Sequence, residues 1–124
     1  MLRALIEDRE GAVAWVAAAG RQELELCWPS LLYVEVANTL LVLERAAGLE
    51  RERSRSVQRA IAAIDARSFG LEELSGPAWV LGRERGLSAY DACYVVLAET
   101  LAAPLVTADR RLAAATVNGV LIAE

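Results

Sequence analysis

The chain has 124 residues, enough for one domain, and a 56% hydrophobic content that can fill a core and argues against disorder. Its net charge of −4 makes it a poor non-specific binder of nucleic acid, so a phosphate ligand would need a local basic patch or bound cations. It contains no histidine, and all 13 basic residues are arginine, which excludes Ser-His-Asp and Cys-His catalysis, His-containing zinc sites, Schiff-base lysines and a Walker A loop.

Residues 2–7 (LRALIE) read as a helix that starts at full stride with no cap before it. Residues 10–19 read as a second, Ala-rich helix closed by Gly20. Residues 24–28 (LELCW) alternate like a short strand, and Ser30 offers itself as the N-cap of a long helix over 31–47, ended by Gly48. A helix over about 50–66 completes an αα-hairpin, with Val57, Ile61 and Ile64 on its buried face and Arg51, Arg55 and Arg59 on the exposed one.

A strand at 68–73 and a helix at 75–86, with Pro77 near its first turn, come next. Ser88 opens a helix over about 89–102. A buried strand at 104–107, a helix from Asp109 to Ala115 and a strand at 119–122 finish the chain. Strands alternating with helices predict an α/β fold with a parallel sheet, in a single domain spanning 1–124. Cys27 and Cys93 lie in apolar surroundings and read as free thiols of a reducing compartment. No apolar run reaches the length of a membrane span, and the N-terminus lacks a signal peptide's layout. The expected location is the cytoplasm, with no membrane partner.

Three carboxylates call for an explanation. Glu35, Asn38 and Thr39 share one side of a helix that is otherwise apolar all round and therefore expected to be largely buried. Glu35 is either part of a solvated stripe or a buried acid needing a partner, a proton or a metal. Ser88-Ala89-Tyr90-Asp91 fits a capping box, and Asp109 fits an N-cap, so each has a local role available. Each acid also falls near a strand's C-terminal side, where ligands bind in parallel α/β folds. Carboxylates that converge there repel one another unless a hard divalent cation joins them. Metal-activated water would then be the nucleophile in a chain without His or Lys.

The segments PSLLYVEVANTL (29–40), GLSAYDACYVVLAE (86–99) and APLVTADRRLAAA (103–115) together resemble the VapC-type branch of the PIN-domain ribonucleases. The resemblance runs over essentially the whole chain. It implies a parallel sheet flanked by helices on both faces, with acids gathered at the strands' C-terminal edge. It also implies Mg2+- or Mn2+-dependent endoribonuclease activity, a toxin role with a cognate antitoxin, and a homodimer. By position Glu35, Asp91 and Asp109 match metal-site acids, Thr107 matches the hydroxyl that orients the last acid, and Asn38 takes the E-x-x-N position. Arg110 and Arg111 are candidates for contact with the RNA backbone. Family members begin with a strand ending in V-D-x-S; here Met1 stands inside what reads as the helix after it. The first, central strand and its Asp are therefore expected to be missing, through a misplaced start codon or a truncated gene product. That departure supports a second reading, an inactive PIN-like module that only binds an antitoxin or dimerises.

Overall fold

The computed structural model describes residues 25–107, 110–116 and 119–121. The helices expected at 2–7 and 10–19 lie outside the described residues.

Strand β1 (Leu26–Pro29) buries Leu26, Trp28 and Pro29. Helix α1 (Leu31–Ala47) follows at once. Ser30 is not the side-chain cap that its sequence position suggests. Its backbone is already helical, and its N–H donates to the Phe69 carbonyl at 2.8 Å. The residue thus extends a strand ladder instead of capping a helix. α1 ends on Gly48 at φ +69°, a left-handed stop that glycine adopts at low cost.

The burial of α1 also differs from expectation. Only the stripe Leu32, Val36 and Leu40, at i, i+4 and i+8, is buried. Tyr33, Val34, Leu41 and Val42 are exposed. The helix is covered along one side, although its composition is apolar all round.

Helix α2 (Arg51–Ala63) packs Ile61, with Val57 and the following Ile64, into the same core as the α1 stripe. Its arginines 51, 55 and 59 face solvent, and Arg55 pairs with Glu52 at 3.0 Å. The buried Ser54 hydroxyl donates to Glu44 at 2.9 Å and fastens the hairpin. α2 stops earlier than the sequence suggests because Ala66 is taken into strand β2 (Ala66–Phe69). β2 pairs in parallel with β1, Leu26 opposite Ala66 through Pro29 opposite Phe69.

Helix α3 (Leu71–Arg85) starts four residues before the expected position and takes up residues that the sequence suggests for a strand reaching to 73. Leu71, Leu74, Ala78 and Leu81 continue one helical stripe upstream of Pro77, and Glu72 and Glu73 suit the positive end of the helix dipole. Pro77 therefore lies inside the helix. The helical N–H that the Glu73 carbonyl loses is on an exposed side, open to water.

Helix α4 (Ala89–Thr100) buries Ala92, Cys93, Val95, Val96, Leu97 and Ala98 and is the central helix of the domain. It packs most extensively on α3 and touches both β1 and strand β3 (Leu105–Thr107). Helix α5 (Arg110–Ala114) and strand β4 (Gly119–Leu121) follow, with β4 parallel to β3. Among the described residues the four strands form two parallel pairs, β1 with β2 and β3 with β4. The result is a helix-rich α/β fold with a small parallel sheet flanked by helices. Two apolar cores fill it, and Tyr94 packs against both. Cys27 and Cys93 are free thiols, as read from the sequence.

Candidate active site

Glu35 stands one residue before Val36, at the rim of the buried stripe of α1, and is half-buried. Across from it, Tyr94 of α4 donates its phenolic hydrogen to Glu35 Oε1. Asp91 lies three residues before Tyr94, on the same side of α4. Its backbone N–H donates to Ser88 Oγ at 3.1 Å, the first half of the expected capping box. The cap fixes where the helix begins and hence where the Asp91 side chain departs from it.

The three groups share one electrostatic neighbourhood. Burial pushes the Glu35 carboxyl above the usual carboxylate range. The Tyr94 hydrogen bond opposes that rise and the negative charge of Asp91 adds to it. The Tyr94 phenol is pushed far up, first by burial, then by its bond to Glu35 and the charge of that carboxylate, with Asp91 contributing. The Cys93 thiol is raised by burial and by Glu35, so it stays a neutral thiol and a weak nucleophile. Tyr94 remains a hydrogen-bond donor throughout the physiological range.

The remaining candidates are placed less closely. Thr39 lends its hydroxyl to the Glu35 carbonyl at 2.9 Å, inside its own helix. Asn38, one turn along from Glu35, is exposed. Thr107 is buried at the C-terminal end of β3. Asp109 lies outside the described residues, and Arg110 and Arg111 open α5. Among the described residues no three His, Cys, Asp or Glu side chains gather as a metal-holding group. Glu35 and Asp91 nevertheless supply hard oxygen donors whose like charges oppose each other. That donor chemistry fits a hard divalent cation.

Tyr94 was not singled out by sequence reasoning. A tyrosine three residues beyond an acid, on an otherwise buried helix, is a legible signal, because a buried phenol needs a hydrogen-bond partner.

A comparison with protein-family models matches residues 1–118 to the PIN domain. The chain belongs to the PIN-domain family. A search of curated proteins found no match. PIN domains are generally metal-dependent nucleases and typically use divalent metals. The PIN assignment accords with the parallel α/β scaffold. No helix among the described residues of this PIN domain is long and apolar enough to cross a membrane.

Proposed function

We propose that the chain is a Mg2+- or Mn2+-dependent endoribonuclease of the VapC type, the toxin of a type II toxin–antitoxin pair, hydrolysing RNA phosphodiester bonds. The observation that carries this reading is the hydrogen bond from Tyr94 to Glu35, which brings α1 against the helix that carries Asp91, in a chain of the PIN-domain family. Their carboxylates would hold the cation. Asp109 joins them by resemblance, oriented by Thr107, with Asn38 in a supporting place.

When held by these acids, a divalent cation would supply Lewis-acid polarisation of a phosphate and an activated water. The chain's own residues set the conditions for that chemistry. Glu35 and Asp91 fix the site between α1 and α4. Tyr94, held protonated, occupies one oxygen of Glu35. With neither His nor Lys in the chain, ionised carboxylates are the side chains left to accept a proton near neutral pH. Arg110 and Arg111 would meet the RNA backbone as fixed positive charges. The proposed partners are a cognate antitoxin and a second copy of the chain, in the cytoplasm.

The test is Mn2+ binding by calorimetry together with RNA cleavage, for the wild-type chain, Glu35→Gln and Asp91→Asn. The reading expects binding and cleavage in the wild type, loss of cleavage in both variants, and arrest by a chelator. Cleavage that survives chelation overturns the metal mechanism. A chain that neither binds Mn2+ nor cleaves RNA overturns the enzyme reading.

A further inference from the structure

Glu35 reaches its site from a helix covered along only one stripe, with exposed neighbours at Tyr33 and Val34. A glutamate in such a place has three rotatable bonds and loses side-chain entropy when it is held for a ligand. Tyr94 is differently placed. It belongs to the central helix and packs against both apolar cores, and its hydroxyl meets Glu35 Oε1. The contact joins residues 59 apart in sequence.

We propose that Tyr94 is a positioning residue for the metal site: its hydroxyl holds Glu35 Oε1 and leaves Oε2 for the cation. This rests on the nuclease reading above. Glu35 then serves the cation through one oxygen, while the other stays with the phenol. The carboxylate is oriented before the cation arrives, so less of the binding free energy is lost to ordering it. The Ser88 cap holds the Asp91 backbone at the first turn of the same helix, while Tyr94 holds the Glu35 side chain.

The test compares Mn2+ affinity by titration calorimetry in the wild type, Tyr94→Phe, Glu35→Gln and the double variant, each checked for a cooperative thermal melt. Tyr94→Phe keeps the ring and removes the hydroxyl. It is expected to weaken Mn2+ binding about 10- to 100-fold. Saturating Mn2+ should restore most of its RNA cleavage, whereas Glu35→Gln should not be rescued. In the Glu35→Gln background the loss of the hydroxyl should add nothing, because it acts through Glu35.

Wild-type affinity in a folded Tyr94→Phe chain overturns the proposal, as does an equal loss in the Glu35→Gln background. A wild-type chain that binds no Mn2+ overturns the nuclease reading itself, which separates the two failures.

Discussion

Tyr94 on α4 donates its hydroxyl hydrogen to Glu35 on α1, and that bond fastens the hairpin half of the domain to the central helix. The same place is costly for charge. Burial and the field of Asp91 hold the Glu35 carboxyl above its usual range despite the bond from Tyr94.

A carboxyl with a raised folded-state pKa binds its proton more tightly in the native state than in the unfolded chain. Its contribution favours the fold below the usual carboxylate range and declines as pH rises through the raised value. In the absence of metal, Glu35→Gln is therefore expected to be more stable than wild type at neutral pH, a trade of function against stability. At strongly acidic pH the two should converge. Urea denaturation in the presence of chelator, at neutral and at acidic pH, measures both points. A Glu35→Gln chain less stable than wild type at neutral pH would contradict the account.

The Ser88 cap gives a second prediction. Ser88 Oγ accepts from the Asp91 N–H at 3.1 Å. Ser88→Ala leaves that first-turn donor without its cap and should cost about 1 kcal/mol, whereas Ser88→Asp should retain most of it. For a chain of this length the loss lowers the melting temperature by about 3–6 °C. It should also weaken Mn2+ binding, because Asp91 leaves the helix at its first turn. Thermal melts and calorimetry on the two variants check both effects.

Much of this architecture is legible in the sequence where local chemistry and tertiary packing agree. The span of α1 follows from Pro29 and Gly48, and the Ser88 cap follows from S-x-x-D. The sequence misleads where a long-range partner decides. Ser30 has a capping side chain, but the ladder to Phe69 takes its backbone. Ala66 has helical propensity, but its pairing with Leu26 places it in a strand. Pro77 suggests a helix start, but the stripe through Leu74 and Ala78 carries the helix past it. At the site, Glu35 and Asp91 were visible as acids that needed explaining. Tyr94 was not, because its partner lies on another helix.

The third prediction concerns the far end of α4. Arg85 of α3 donates to both carboxylate oxygens of Glu99, at 2.7 and 2.9 Å, and to the Ala115 carbonyl at 3.0 Å. The Thr116 hydroxyl joins at 3.1 Å. Arg85 holds the Glu99 carboxyl below its usual range. That contribution is present above the ordinary carboxylate pKa and is lost as pH falls through the lowered value. The pair is partly exposed, so solvent screening keeps its worth to roughly 0.5–1 kcal/mol. Arg85→Ala should remove this amount at neutral pH and less in acid. Arg85→Lys should not restore it, since an ammonium cannot match the two-point contact. Denaturant titrations across pH measure the difference, and equal losses at both ends of the range would contradict the assignment.

Two glycines in α3 separate helix propensity from close packing. Gly76 lies inside the helix, and a Cβ built there meets nothing within 4 Å. Gly76 stands directly before Pro77, whose ring disfavours a helical residue with a Cβ there, so the propensity gained by Gly76→Ala is offset and the variant should stay within about 0.5 kcal/mol of wild type. A Cβ at Gly82 would come within 2.9 Å of the Leu87 carbonyl oxygen and 3.8 Å of the Ala92 Cβ. The obstacle is backbone, which has no rotamer to swing aside. Gly82→Ala must push the Gly86–Ser88 link away from α3, and should cost about 1–3 kcal/mol despite the gain in propensity. Because that link ends at the Ser88 cap, the displacement reaches the first turn of α4 and Asp91. Gly82→Ala should thus weaken Mn2+ binding, while Gly76→Ala leaves it unchanged. Melting curves and calorimetry on the two variants test this together, and a stabilised Gly82→Ala chain with full metal affinity would show that the contact does not set the position of α4.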